Sequence, residues 1–241
     1  MVHGFTQTQQ CWGELIPELV SEFEVVTIDA PGHGRSSDIA ADLVDTASLL
    51  AEAGGNAIYL GYSMGARMCL HLGLSYPHLV NALILVSGTA GIEDLEERNN
   101  RKLLDEKRAV ELETYGLDTF LDSWINQPMF ANLDDDARCL DARKTNTASG
   151  LASSLRLGGT GNQEPLWGQL HRLTMPVLLI AGADDPTYVT HAKRMGELIG
   201  ANATVEIIAN AGHAAHLEQQ ETFIKLIKSW IKELPELKGK S

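Results

Sequence analysis

Residues 61–65, with the sequence Gly-Tyr-Ser-Met-Gly, constrain the fold of this chain more than any other stretch. A short apolar run at residues 57–60 precedes them, and apolar residues recur at helical spacing in residues 66–72. The pattern predicts a strand, a sharp turn and a helix. Glycines two positions on either side of Ser63 permit a turn so tight that the serine hydroxyl projects from the end of the strand.

Apolar runs of strand length recur along the chain and alternate with segments of helical periodicity. The runs are residues 25–29, 57–60, 82–86, 177–182 and 204–209. This alternation is typical of an α/β fold, with a mostly parallel sheet and helices on both of its faces. A chain of 241 residues, 44% of them hydrophobic, is long enough for one such domain.

The stretch from about residue 91 to residue 163 interrupts the alternation. It has no strand signal and predicts charged helices at residues 93–115, 117–126, 134–145 and 148–157. We predict that residues 1–90 and 164–241 form the core, and that residues 91–163 form a helical lid inserted after the third predicted strand. Such a lid would cover the carboxyl ends of the strands, where open parallel sheets bind ligands. An independent helical domain is the alternative.

Catalysis by a serine hydroxyl needs a base for its proton and a carboxylate that orients that base. After an elbow of this kind, the carboxylate is expected behind a late strand and the histidine behind the last one. Asp184 and Asp185 follow the strand that ends at residue 182, and His213 follows the strand that ends at residue 209. We predict a triad of Ser63, His213 and Asp185, with Asp184 as the alternative acid.

An oxyanion that forms near Ser63 requires hydrogen-bond donors that are already in place. The residue after the serine supplies one candidate, the backbone N–H of Met64. The loop of residues 3–5 (His-Gly-Phe) supplies the other, the backbone N–H of Phe5. We therefore predict an oxyanion hole made of Phe5 and Met64.

Composition and spacing narrow the range of cofactors and partners. The three cysteines are scattered, which indicates neither a disulfide framework nor a zinc site and favours a reducing cytoplasm. The spacing of His213, His216 and Glu218 could suggest a metal site. A histidine that follows a strand and faces Ser63 explains this spacing better, so we expect no metal and no cofactor. The net charge of −13 argues against nucleic acid or an anionic membrane as a partner, and no apolar run is long enough to span a bilayer.

Several stretches together resemble the α/β-hydrolase superfamily: residues 3–5, 29–36 (Asp-Ala-Pro-Gly-His-Gly-Arg-Ser), 61–65 and 212–213. Within it, further stretches resemble the 2-succinyl-6-hydroxy-2,4-cyclohexadiene-1-carboxylate synthase family of menaquinone biosynthesis. They are Arg67, residues 97–101, 124–130, 143–146 and 155–163, Trp167 and residues 211–218. The similarity runs from residue 3 to about residue 233. Because the superfamily motifs serve many unrelated reactions, the lid motifs are the specific part.

The resemblance to these synthases implies a lyase. Such an enzyme eliminates pyruvate from 2-succinyl-5-enolpyruvyl-6-hydroxy-3-cyclohexene-1-carboxylate, with Ser63, activated by His213 and Asp185, acting as the base. The resemblance also implies a substrate pocket made of Tyr62, Arg67, Arg101, Trp124 and Arg143. Arginines suit this small, trianionic substrate because they bind carboxylates in a two-pronged fashion and stay charged when desolvated.

Two alternatives stay open at this stage. A carboxylesterase or C–C bond hydrolase would use Ser63 as a nucleophile that becomes acylated. An inactive truncated paralogue or a binding protein is the other alternative.

Departures from the family concern two stretches. Members often have a lysine after the triad aspartate, where this chain has Pro-Thr-Tyr at residues 186–188. Members also carry a stretch before the His-Gly pair that forms two edge strands and a central strand, whereas only Met1 and Val2 precede that pair here. We expect those strands to be missing. Three explanations are open: the start lies upstream, the chain is a piece of a longer polypeptide, or the sheet has lost a central strand.

Overall fold

The computed structural model describes residues 1–234 as a parallel sheet covered by helices. The strands are β1 (Ala57–Tyr62), β2 (Val80–Val86), β3 (Val177–Gly182) and β4 (Ala203–Ile208). The longer helices are α1 (Leu15–Val20), α2 (Leu43–Gly54), α3 (Met64–Ser75), α4 (Leu95–Tyr115), α5 (Leu117–Ile125), α7 (Ala148–Gly158), α8 (Pro186–Ile199) and α10 (Gln220–Glu233). The one-turn helices are α6 (Leu140–Arg143) and α9 (Ala215–Glu218).

The four strands pair in the order β1-β2-β3-β4, and every pairing is parallel. Tyr62 lies beside Val86, and Val86 lies beside Ile180, so the carboxyl ends of β1, β2 and β3 meet at one edge of the sheet. Residues that follow these strands are therefore brought close together even though they are far apart in the sequence.

Alternate residues of the strands face two separate apolar layers. Leu83 and Leu85 pack with residues of α2, α3 and α8, whereas Ile84 and Val86 pack with residues of α1 and α10. This alternation is the two-residue period of a strand, and both faces are apolar because helices cover both sides of the sheet.

The prediction of a strand at residues 25–29 is wrong. Ile28 makes one isolated parallel bridge with Val2, Val2 makes another with Gly61, and Val26 is 48% exposed. These single bridges do not extend into a ladder within residues 1–234. The lid segment consequently follows the second strand of the sheet, β2, and not the third as predicted.

The lid segment, residues 91–163, contains helices α4 to α7 and no strand. The helix predicted at residues 134–145 is wrong for most of its length, because only Leu140–Arg143 is helical. The carboxylate of Asp134 accepts the N–H of Ala137 in a turn, and Cys139, with a φ of 54°, interrupts the helical backbone. Helix α4 packs along α7, and both contribute to a small apolar cluster with α5.

The division into a core of residues 1–90 and 164–241 and a lid of residues 91–163 stays a prediction, and residues 235–241 lie outside the described part. Within residues 1–234, no helix combines the length and apolar character needed to cross a membrane.

Candidate active site

Ser63 occupies the sharp turn between β1 and α3. Its φ is 52°, a left-handed value that is uncommon for a residue with a side chain, and its N–H donates to the carbonyl of Val86 at 2.8 Å. A Cβ at Gly61 would lie 2.4 Å from the carbonyl oxygen of Gly65, and a Cβ at Gly65 would lie 2.0 Å from that of Val2. Both flanking positions therefore require glycine, as the sequence pattern predicted.

Ser63, His213 and Asp185 form a continuous hydrogen-bonded set. The Nε2 atom of His213 lies 3.0 Å from the Oγ of Ser63, and its Nδ1 lies 2.8 Å from Oδ2 of Asp185. These partners define the tautomer in which Nδ1–H donates to Asp185 and Nε2 accepts from the Ser63 hydroxyl. Asp184, the alternative acid, is exposed and makes no hydrogen bond to His213 in the described chain.

Asp185 also begins helix α8. Its Oδ1 accepts the backbone N–H of Tyr188 at 3.3 Å, which caps the helix, while Oδ2 contacts His213. One carboxylate thus serves two purposes, because each oxygen has its own partner.

The backbone of the His213 loop is held from two sides. The carboxylate of Glu218 accepts the N–H of Gly212 at 2.6 Å and the N–H of Ala214 at 2.9 Å. On the other side, the Ser87 hydroxyl donates to the carbonyl of His213 at 2.7 Å. His213 itself is buried, so these contacts fix where its imidazole meets Ser63.

The backbone N–H groups of Phe5 and Met64 have no acceptor within residues 1–234, and both residues line the same cavity as Ser63. The loop that carries Phe5 is held by reciprocal contacts, in which Gly4 N–H donates to the Gln7 side chain and Gln7 N–H donates to the Gly4 carbonyl, each at 3.1 Å. An oxyanion hole requires two unengaged N–H groups that are held in place before the reaction.

A cavity of about 150 Å³ opens beside Ser63 and lies under the lid segment. It brings together nine of the ten predicted site residues, and the tenth, Asp185, lies behind His213. The nine are Phe5, Tyr62, Ser63, Met64, Arg67, Arg101, Trp124, Arg143 and His213.

Two of the predicted arginines bring charge to this cavity from opposite sides. Arg67, on α3, is buried, and its guanidinium donates to the carbonyl of Gly158 at 2.8 Å. Burial, followed by the nearby charge of Arg101, lowers the pKa of Arg67 to about 10, so it remains protonated at neutral pH. Arg101, on α4, is one-third exposed and donates to the carboxylate of Asp105 at 2.9 Å.

Arg143 differs from the other two because the protein uses much of its hydrogen-bonding capacity. Its Nε donates to the carbonyl of Arg138 at 2.7 Å, and one Nη donates to the hydroxyl of Thr6 and to the carbonyl of Phe5, the latter at 3.5 Å. Burial lowers its pKa. Arg143 therefore positions the loop that carries Phe5, besides bringing charge to the cavity.

Aromatic side chains surround the reacting groups. Tyr62 is buried between the rings of His213 and His216, at 5.6 and 4.2 Å between centroids, and burial raises the pKa of its phenol. Trp124 packs edge-on against the ring of Phe5 at 5.0 Å, and its Nε1 is buried without an acceptor in residues 1–234.

Sequence reasoning missed three residues at this site. Arg108 lines the cavity, Asp105 is a buried carboxylate between Arg101 and Arg108, and the ring of Tyr188 lies 4.4 Å from that of His213. Spacings of three and four residues along α4 place the charged trio on one face, a signal that the sequence contains. Burial raises the pKa of Tyr188.

His216 and Glu218 do not form a metal site together. The imidazole of His216 is fully buried against Tyr62 and Trp12, and burial lowers its pKa to about 3, while Glu218 binds backbone N–H groups. No group of three or more His, Cys, Asp or Glu side chains within residues 1–234 is arranged to hold a metal ion.

A parallel sheet covered by helices, a serine at a strand-to-helix elbow and a histidine behind the last strand define an α/β hydrolase. The model of the Alpha/beta hydrolase family matches residues 1–226, and this chain belongs to that family.

The relatives narrow the comparison further. The chain is 32% identical over 244 residues to a protein of Bacillus subtilis (strain 168) named putative 2-succinyl-6-hydroxy-2,4-cyclohexadiene-1-carboxylate synthase, with 95% of this chain and 88% of the relative covered. A synthase of the same name from Serratia proteamaculans (strain 568) is 28% identical, with 95% and 91% covered. The solved structure of MenH from S. aureus has a TM-score of 0.87 and is 29% identical, with 96% and 92% covered.

Proposed function

We propose that this protein is a lyase that eliminates pyruvate from 2-succinyl-5-enolpyruvyl-6-hydroxy-3-cyclohexene-1-carboxylate and forms 2-succinyl-6-hydroxy-2,4-cyclohexadiene-1-carboxylate. The observation that carries the proposal is that the Ser63–His213–Asp185 set opens into a cavity lined by four arginines. An ordinary ester needs no such charge, whereas this substrate carries three carboxylates. Relatives at 32% and 28% identity are named for the product.

The reaction begins with the removal of a proton from a carbon. The ring carbon that bears the succinyl chain is acidic because its C–H bond lies next to a ketone and an alkene. Ser63 takes this proton as its own hydroxyl proton passes to Nε2 of His213, and Asp185 stabilises the resulting imidazolium through Nδ1–H.

The electron pair released from the C–H bond then moves in two stages. Negative charge first develops on the ketone oxygen, where the N–H groups of Phe5 and Met64 stabilise it. The charge then returns into the ring: a C=C bond forms at the carbon that bears the succinyl chain, the C=C bond already present shifts to the next position, and the C–O bond to the enolpyruvyl group breaks. The enolpyruvate leaves, takes up the proton held by the imidazolium of His213, and becomes pyruvate. This transfer returns His213 to its starting state.

The arginines bind the substrate carboxylates and hold the ring in place for the proton transfer. Arg67 and Arg101 approach from α3 and α4, so they act on the core side and the lid side of the cavity. Buried guanidinium groups orient carboxylates strongly because water competes little for them. All three cysteines are free thiols, which suits an enzyme of the reducing cytoplasm.

A pyruvate assay tests this proposal. The purified protein is incubated with the enolpyruvyl substrate, and released pyruvate is followed through a coupled lactate dehydrogenase. We expect Ser63→Ala to lower the rate roughly 100- to 10,000-fold, because the general base is lost. We expect Arg67→Ala to raise KM at least roughly tenfold, because a charge-assisted hydrogen bond is lost.

Arg172→Ala is the matched control, because this substitution removes the same charge. Arg172 is exposed, and within residues 1–234 its side chain donates a hydrogen bond to Gln169 alone. Its kinetics should equal those of the wild type. A wild-type protein that releases no pyruvate contradicts the proposed reaction.

The same atoms could also support an acyl-enzyme, because Ser63 has both a base and oxyanion donors. A carboxylesterase is therefore the second candidate. It would hydrolyse p-nitrophenyl acetate in a Ser63-dependent manner, with a burst of p-nitrophenol and without any effect of Arg67→Ala. That result, together with no pyruvate release, would assign the esterase activity.

A further inference from the structure

The lid side of the cavity contains a buried carboxylate, Asp105, and a fourth arginine, Arg108, to which the mechanism above assigns no individual role. Asp105, on α4, is 1% exposed, and its Oδ1 accepts the Nε–H of Arg101 at 2.9 Å and lies 3.8 Å from an Nη of Arg108. Its Oδ2 accepts the backbone N–H of Gly161 at 3.4 Å. A buried carboxylate thus holds two arginines of the same helix at the cavity.

Arg108 keeps most of its donors unengaged. Its guanidinium carbon lies 5.1 Å from the centroid of the Trp124 ring, and it donates no hydrogen bond within residues 1–234. Arg67 and Arg143, by contrast, each donate to backbone carbonyls. Stacking on an aromatic ring fixes the plane of a guanidinium and leaves the N–H groups at its edge available.

The surroundings of Arg108 favour an anionic partner. Its side chain is only 21% exposed, so water hydrates it incompletely, and burial together with the charge of Arg101 lowers its pKa. Asp105 supplies a single negative charge to these two adjacent cations, and the other carboxylate of α4 that acts on Arg108, Glu111, is 42% exposed and pairs with Lys107. A carboxylate in the cavity would supply both the missing charge and the missing acceptors.

We propose that Arg108, stacked on Trp124 and positioned by Asp105, forms with Arg101 a separate subsite for one carboxylate of a polycarboxylate ligand. The inference rests on the proposed function, because the four cavity arginines and Asp105 leave three positive charges for a substrate with three carboxylates. The existence of a carboxylate subsite can nevertheless be measured without turnover.

Kinetics of three variants test the subsite. Arg108→Gln should raise KM for the enolpyruvyl substrate roughly tenfold, with a smaller effect on kcat, because a ground-state contact is lost. Arg108→Lys should recover part of that loss, since it restores the charge without the planar fork. Lys107, the residue before Arg108 in α4, has a side chain that is 73% exposed, so Lys107→Gln removes the same charge outside the cavity and should leave KM unchanged.

Calorimetric titration with succinate is the measurement that does not depend on turnover. The wild type and Lys107→Gln should bind this dicarboxylate with equal affinity, and Arg108→Gln should bind it several-fold more weakly. Equal KM values and equal succinate affinities for Arg108→Gln and Lys107→Gln would overturn the subsite. If the wild type releases no pyruvate, the proposed reaction fails, and the succinate titration alone still decides the subsite.

Discussion

The carboxylate of Glu218 accepts both backbone N–H groups that flank His213, at 2.6 Å from Gly212 and 2.9 Å from Ala214. Glu218 touches no reacting atom, so it is a positioning residue. Glu218→Gln keeps the size of the side chain, but only one of its two terminal atoms can accept. We expect kcat to fall roughly 10- to 100-fold with little change in KM, because the imidazole is displaced from Ser63. Steady-state kinetics of pyruvate release measure this split.

Glu221→Gln is the control for Glu218→Gln. The Glu221 side chain is 83% exposed and pairs only with Lys225, so its loss should leave kcat unchanged. Equal effects of the two substitutions would contradict a positioning role for Glu218.

Asp185 and Asp184 offer a neighbouring pair for a second prediction. Asp185→Asn retains a side-chain oxygen for the N-cap of α8, so thermal stability should change little, but it no longer stabilises an imidazolium. We expect kcat to fall roughly 100- to 10,000-fold. Asp184→Asn should be close to wild type because Asp184 is exposed. A larger loss for Asp184→Asn would reassign the acid.

Four buried histidines make the fold sensitive to acid. Burial lowers the pKa values of His3 and His71 to about 4 and those of His33 and His216 to about 3, below the value of about 6.5 expected in the unfolded chain. At pH values between the folded and the unfolded pKa, the unfolded chain binds protons that the native state does not. The free energy of unfolding therefore falls as the pH falls below about 6.5. Each histidine lowers the free energy of unfolding by up to roughly 1.4 kcal/mol per pH unit, and this contribution ends near its folded pKa.

His216→Phe isolates one of these contributions. Phenylalanine keeps the aromatic contacts with Tyr62 and Trp12 and removes the titrating ring. Urea unfolding at about pH 7.5 and about pH 5 should show a smaller loss of stability for the variant than for the wild type. Equal losses would contradict a neutral, buried His216.

Gly65 at the elbow allows a stability prediction. A methyl group there would lie 2.0 Å from the carbonyl oxygen of Val2, a rigid backbone atom, so Gly65→Ala should destabilise the fold by roughly 2 kcal/mol or more and abolish activity. Gly168→Ala is the control, since nothing lies within 4 Å of its added methyl group, and it should stay within about 0.5 kcal/mol of wild type. Thermal unfolding distinguishes the two.

The positions of Ser63 and His213 could be predicted because both follow from where strands end. The order of late strand, aspartate, last strand and histidine places these groups at one edge of any parallel sheet. The spacing favoured Asp185 as the acid but left Asp184 open as the alternative, because both residues lie just after β3. The acid is decided by the position of Asp185 as the N-cap of α8, a three-dimensional detail that the spacing does not contain.

The wrong strand at residues 25–29 and the missed Arg108 share a physical origin, since each depends on distant parts of the chain. Residues 25–29 have the composition of a strand, but a strand needs a neighbour of equal length, and here the neighbour is Val2 alone. Arg108 was missed because α4 contains many charged residues, and only the packing of α4 against α7 shows which of them face the cavity.

Arg143 contacts both the lid segment, through the carbonyl of Arg138, and the core loop, through Thr6 and Phe5. Any displacement of residues 138–143 would therefore also act on the loop that carries Phe5. If residues 138–143 swing outward to admit a ligand, the loop of Phe5 loses the hydrogen bonds that Arg143 donates to the Phe5 carbonyl and the Thr6 hydroxyl, and it regains them only when the segment returns. An open enzyme would therefore be idle, and the charge that develops during turnover would be stabilised only after the entrance has shut.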